Sequence, residues 1–171
     1  YSESLKYDAY ARPTIRTITT DAIYRYDYAY NSLGLLDSLT YPATGVGARF
    51  KLGYEYESGQ LARIKDANAP ANSFWRLNTL DAAGNIIDET LGSAIRVVSG
   101  FDPDSGAIDY RQSGVGGGSA IQDLAYAWDA NYNLTRREDR KRAVVEDFRY
   151  DTLDRVDVVR GNGAISLARD Y

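Results

Sequence analysis

Tyr150-Asp151-Thr152-Leu153-Asp154-Arg155-Val156 decides the reading of this chain. An aromatic anchor is followed by an acid, then by turn residues, then by an aliphatic. Upstream, Phe148 and Tyr150 alternate with Asp147 and Arg149; a period of two marks a strand with one apolar face. The Asp151 carboxylate can accept a backbone N–H two residues on and so start a turn. Downstream, Val156, Val158 and Val159 supply a return strand. The stretch predicts strand, short turn, strand.

The same unit recurs outward from there. Leu80-Asp81-Ala82-Ala83-Gly84-Asn85-Ile86, Trp128-Asp129-Ala130-Asn131-Tyr132-Asn133-Leu134 and Tyr30-Asn31-Ser32-Leu33-Gly34-Leu35-Leu36 repeat it. Tyr56-Glu57-Ser58-Gly59-Gln60-Leu61 is one residue shorter, and Phe101-Asp102-Pro103-Asp104-Ser105-Gly106-Ala107-Ile108 one longer. Tyr7-Asp8-Ala9-Tyr10-Ala11-Arg12-Pro13 is the most degraded, and Asp170-Tyr171 reads as the start of an eighth copy. The anchors lie 21 to 27 residues apart, a spacing that suits one hairpin and a connection. Tyr24, Tyr26, Tyr28 and Tyr30 share one strand face, with Arg25, Asp27 and Ala29 on the other, and the tyrosines are expected to line the packed side. Gly34, Gly59, Gly84 and Gly106 stand where a turn needs positive φ. Residues 42–47 and 114–119 read as Gly-rich loops. Thr135 to Val145 carries weak helical character, which the flanking copies overrule in favour of a strand pair.

The expected fold is therefore all-β: consecutive antiparallel hairpins in one extended, curved or spiralling repeat sheet. The expected organisation is a single array over 1–171, of about seven units, cut at both ends. A lone hairpin is marginal in water, so each unit must lean on its neighbours as in a solenoid, which leaves open edges.

Composition excludes much chemistry. The 171 residues include 15 Tyr and 15 Gly but no Cys, His or Met, with a net charge of −4. Without Cys or His there is no disulfide, no Ser-His-Asp triad and no ordinary zinc site. A mildly acidic chain is a poor nucleic-acid ligand, and no apolar run is long enough to span a bilayer.

Tyr150-Asp151 with Arg155-Val156, the Asp81/Gly84 and Asp129/Asn133-Leu134 copies, and the stretch from Gly116 through Trp128-Asp129 resemble the YD or RHS repeat over about Leu5 to Gly161. The resemblance implies a hairpin ribbon that builds a hollow shell, as in bacterial RHS proteins, in the B and C components of insecticidal toxin complexes, and in the teneurins. It implies a non-catalytic structural segment of a secreted or cell-surface bacterial protein, partnered by the rest of its own RHS polypeptide and an enclosed toxin domain. The family's core segment, with its aspartate self-cleavage site, is not found here. Ala11 and Pro13 replace the usual Gly and aliphatic in the first copy. The residues assigned a repeat role are the anchors Tyr7, Tyr30, Tyr56, Leu80, Phe101, Trp128 and Tyr150. With them go their followers Asp8, Asn31, Glu57, Asp81, Asp102, Asp129 and Asp151, and the turn residues Gly34, Gly59, Gly84, Gly106, Asn133 and Asp154.

Sharper readings compete with that role. Two carboxylates can hydrolyse a glycoside, yet these acids recur at one repeat position, which argues for turns. Asp102-Pro103-Asp104-Ser105-Gly106 resembles the opening of a calcium loop but lacks the later ligands. Gly114 to Gly118 lacks the Lys and Ser/Thr of a phosphate cradle. Arg136 to Arg142 is a basic run interleaved with acids, the character of a solvated strand edge. No cofactor, metal or catalytic residue is expected. The alternative function is a cell-surface module that binds carbohydrate or protein through Trp75, Trp128 and the tyrosines. Self-association through open sheet edges is a further expectation.

Overall fold

A computed structural model describes residues 1–168, with backbone alone for 165–167; the expected eighth copy at Asp170-Tyr171 lies outside the described residues. Fifteen strands are found among these residues, and every one is bonded to its sequence neighbours, without a crossover. The chain divides into two compact units, Tyr1–Arg76 and the part from Leu77 onward.

The first unit holds β1 (Ser2–Tyr7), β2 (Pro13–Thr19), β3 (Ile23–Tyr30), β4 (Leu36–Thr40), β5 (Lys51–Glu57), β6 (Gln60–Asp66) and the opening of β7 (Ser73–Leu80). The second holds the end of β7, then β8 (Ile86–Leu91), β9 (Ile95–Phe101), β10 (Ile108–Val115), β11 (Gln122–Trp128), β12 (Leu134–Asp139), β13 (Val144–Tyr150), β14 (Val156–Gly161) and β15 (Ala164–Ala168). In each unit the anchor turns join odd strands to even ones. Thr135 to Val145 forms the strand pair β12–β13, not a helix. Gly114 and Val115 belong to β10, so the Gly-rich loop expected over 114–119 begins at Gly116.

The pairing is antiparallel and breaks register at the anchors. Ala29 faces Ser38 but Tyr30 faces Leu36, which leaves Asp37 extra. Arg149 faces Val158 but Tyr150 faces Val156, with Asp157 extra. The same two-against-one bulge is found at Tyr7, Tyr56, Phe101 and Trp128. Two of the extra residues are threonines whose hydroxyls donate back to the strand: Thr135 Oγ1 to the Ala127 carbonyl (3.0 Å) and Thr14 Oγ1 to the Lys6 carbonyl (3.3 Å). A bulge of this kind turns the return strand by one residue and re-aims its side chains.

The two faces of the first unit differ in chemistry. Register puts Tyr24, Tyr26 and Tyr28 on the side of Ile18 and Leu39, and Tyr54 on the side of Ile64. Tyr26, Tyr41, Phe50 and Phe74 form a chain of ring contacts 5.6 to 5.8 Å apart. The opposite face is ion-paired: Arg49 and Arg25 bridge to Asp27, and Lys65 and Arg63 to Glu55. In the second unit Asp88, 8% exposed, is held by Arg96 and by the Asn78 amide. The expectation of a packed tyrosine side is met only halfway. Val97 is the one buried hydrophobic side chain among the described residues, and Tyr24 remains 38% exposed. Stability therefore resides in ladders, turns and half-covered rings more than in a core.

Candidate functional site

The recurring turn is the most elaborate polar structure in the chain. In the Tyr150 copy, Asp151 Oδ1 accepts the Leu153 N–H (2.8 Å) and the Arg155 N–H (3.0 Å). The backbone closes twice more, from Asp151 N to the Arg155 carbonyl and from Asp154 N to the Asp151 carbonyl. Asp154 between them takes φ +56°. Arg155 Nε then reaches back to Asp151 Oδ2 at 2.7 Å. One carboxylate thus satisfies two turn N–H groups and a guanidinium.

Four other copies repeat this geometry. Asp8 clamps the Tyr10 and Arg12 N–H groups and the Arg12 guanidinium. Asp81 clamps Ala83, Asn85 and the Asn85 amide. Asp129 clamps Asn131, Asn133 and the Asn133 amide. Asn31 takes the Leu33 and Leu35 N–H groups through Oδ1, and Leu35 adds no side-chain bond. The residue three after the clamp has positive φ in all of these: Ala11, Gly34, Gly84 and Tyr132. In the longer copy Asp102 accepts from Asp104 and Ser105, and Gly106 has φ +70°. The shorter copy is a tight reversal in which Ser58 (φ +51°) and Gly59 (φ +82°) join Glu57 to Gln60, the two-residue hairpin turn with both φ positive.

Charge follows this geometry. The Arg155 guanidinium holds the Asp151 carboxyl below the usual aspartate range. The Asn85 amide does so for Asp81, the Ser105 hydroxyl for Asp102, and the Asn133 N–H for Asp129. Partial burial opposes ionisation of Asp8, but the Arg12 bonds outweigh it and its pKa is lowered too. Groups fixed as anions and filled by turn donors are ill suited to accept or deliver protons near neutral pH.

The anchors make a second recurring contact, between copies. Tyr30 Oη donates to the Pro13 carbonyl (2.9 Å), Tyr56 Oη to Leu36 (2.9 Å), Trp128 Nε1 to Ile108 (2.8 Å) and Tyr150 Oη to Leu134 (3.0 Å). Each acceptor is the first residue of the preceding return strand. Leu80 and Phe101 have no hydrogen to give. Burial raises the Tyr30 and Tyr150 phenol pKa values. Neighbouring turns also touch: the Arg12 guanidinium lies 4.4 Å from the Tyr30 ring centroid, and Asn133 Nδ2 donates to Asp154 Oδ1 (2.8 Å). The clamp roles of Arg12, Asn85 and Arg155 were not read from the sequence; their signal was Arg or Asn four residues after an aspartate.

An open concavity of about 560 Å³ lies between the Phe101 and Trp128 turns, lined by Asp102, Asp109, Tyr126, Trp128, Asp129 and Tyr132. Among the described residues no group of three His, Cys, Asp or Glu could hold a metal, and no helix is long and apolar enough to cross a membrane.

No family model matches the chain, and no curated protein matches it in sequence. Solved structures do match. The TcdB2-TccC3 crystal structure aligns with a TM-score of 0.56 at 13% identity, over 93% of this chain and 10% of that one. TcdB2-TccC3-TEV aligns at 0.51 and 14% identity over 92% and 10%, and TcdB2-TccC3 without its hypervariable C-terminal region at 0.50 and 13% over 93% and 10%. At such identity the likeness is one of fold, and it agrees with the YD/RHS pattern of the sequence. The chain spans about a tenth of the length of these chains.

Proposed function

We propose that this chain is a non-catalytic structural segment of an RHS/YD-repeat protein, a stretch of shell wall that encloses or displays a toxin or effector domain. Residues 1–171 act as one array of about seven hairpins within a longer secreted or surface-bound polypeptide. The observation that carries this reading is the stitch from one anchor to the preceding return strand, on a fold shared with toxin-complex chains. Turns filled by their own donors suit a wall element whose task is to propagate. With Val97 the one buried aliphatic side chain among the described residues, the sheet gains from further repeats beside it. The test is proteolysis of the full parent polypeptide. A downstream domain that resists protease while attached, and is digested once separated, supports a shell; equal digestion in both forms overturns it.

A second reading, recognition of glycans, has one observation in its favour: the aromatic and acidic lining of the concavity beside Trp128. Glycan-array binding that is lost in Tyr132→Ala would support it. An array without signal would end it.

A further inference from the structure

One junction between neighbouring turns is filled by the chain's own cation. The Arg12 guanidinium pairs with Asp8 at 2.7 Å, and lies 5.1 Å from the Tyr10 ring centroid and 4.4 Å from that of Tyr30, the next anchor. Rings attract the charge through their faces, and the carboxylate directs the planar fork.

The junction between the Phe101 and Trp128 turns has the same kinds of receptor but a different residue in the cation's place. The Asp8 N–H closes its turn on the Arg12 carbonyl, and the Asp102 N–H closes its own on the Ala107 carbonyl. Ala107 thus stands where Arg12 stands, with no side chain long enough to reach the next anchor. The concavity of about 560 Å³ at this junction is walled by Tyr126, Trp128 and Tyr132 and by the carboxylates of Asp102, Asp109 and Asp129, and no lining residue is basic.

Three features suit that concavity to a ligand. The Trp128 ring is fixed in place by its Nε1–H on the Ile108 carbonyl. Asp109, next to that carbonyl, is the residue left unpaired by the bulge at Phe101, and a bulge re-aims the side chain it carries. Asp109 is exposed, and its carboxylate makes no hydrogen bond or ion pair among the described residues. Tyr132 holds its ring at the rim from a left-handed backbone, φ +64°, while 62% exposed. Burial does not explain a tyrosine there, and strain of this kind gathers at ligand sites.

We propose that this concavity binds an arginine side chain of a partner polypeptide, with the guanidinium stacked on Trp128 and paired with Asp109. Carboxylates without a base among them favour a cation. The planar, weakly hydrated guanidinium fits ring faces and a carboxylate better than a compact ammonium does, and Arg12 shows the same chemistry within this fold. The site lies in one compact unit. It does not depend on the parent protein forming a shell, and it gives the concavity a different occupant from a glycan.

The probe is the blocked peptide acetyl-Gly-Arg-Gly-amide, with the citrulline peptide as its uncharged isostere. Each is titrated into the whole chain and followed by the Trp128 indole N–H signal in NMR, assigned with Trp75→Phe. The arginine peptide should move that signal saturably, and more weakly as salt is added. The citrulline peptide should bind far less. Asp109→Asn and Tyr132→Gly should each weaken arginine-peptide binding by roughly 2- to 5-fold. Both variants change exposed side chains, and an otherwise unchanged spectrum verifies their fold. No saturable shift up to the peptide's solubility limit, an equal response to citrulline, or wild-type affinity in Asp109→Asn overturns the proposal. So does a glycan that moves the Trp128 signal where the arginine peptide does not. None of these failures touches protection of a downstream domain in the parent protein, and loss of that protection leaves this site unaffected.

Discussion

Arg155 closes on Asp151 twice, with its backbone N–H on one carboxylate oxygen and its guanidinium Nε on the other. The pair divides the work of a turn between main chain and side chain. Arg155→Lys keeps the charge but loses the planar fork that fits a carboxylate side-on. Asp151→Ala orphans two turn N–H groups as well. Urea unfolding should rank wild type above Arg155→Lys, and Arg155→Lys above Asp151→Ala. An Asp151→Ala midpoint equal to wild type would show that the clamp is decorative.

The clamp carboxylates also set the response to acid. Asp8, Asp81, Asp102, Asp129 and Asp151 all have lowered pKa values in the fold. A depressed carboxyl contributes stability that is present above its unfolded pKa, about 3.9 for aspartate, and is lost as pH falls through the folded value. Stability should hold from neutrality down to about pH 4 and then fall. Replacing Asp81, Asp129 and Asp151 together with Asn should flatten that decline, read as unfolding midpoints across the acid range.

The hairpin succession was legible because a turn and a period-two strand are local, and the fold needs little else. Less visible was the bulge. It makes Leu36 and Leu39, Leu61 and Ile64, and Val156 and Val159 pair with neighbouring anchor-strand tyrosines or phenylalanine, so the apolar spacing in return strands is three where alternation demands two. The acid after each anchor stood out by recurrence. Its partner four residues on was not read as a clamp, since Arg12 and Asn85 pass individually for ordinary loop polars. Tyr132 shows the limit of composition rules: it takes φ +64° where glycine was the expectation.

Tyr132 offers a stability test with an unusual sign. It is 62% exposed and sits in the left-handed region that costs an L-residue about 1–2 kcal/mol. Tyr132→Gly should be neutral or gain up to about 1 kcal/mol after the entropy cost of glycine. Gly84→Val, at φ +88° with open space around its Cβ position, should destabilise by backbone strain alone. Calorimetry on both variants checks the pair; a loss in the first and none in the second would reverse the turn assignment.

Two strand glycines separate side-chain from main-chain crowding. A Cβ on Gly100 would stand 2.1 Å from Cε1 of the Tyr110 ring, and one on Gly114 would stand 2.5 Å from the Gly117 carbonyl oxygen. Each alanine variant should cost about 1–3 kcal/mol. Tyr110→Ala should relieve Gly100→Ala and leave Gly114→Ala unrelieved, a contrast that a double-mutant cycle measures directly.

The stitch is tested by Tyr150→Phe, which removes one hydrogen bond to the Leu134 carbonyl and keeps the ring. A loss of about 0.5–1.5 kcal/mol is expected in equilibrium unfolding. Phe101→Leu removes no such bond and should report packing alone.

Val97, as the one buried aliphatic side chain among the described residues, has a calorimetric consequence. Unfolding will hydrate less fully dry hydrocarbon than in a domain with an ordinary core. The heat-capacity increment should fall below the roughly 12–15 cal/mol/K per residue of ordinary domains. The free-energy curve against temperature is then broad and shallow, and cold weakens this molecule less than it weakens a protein built around an oily centre.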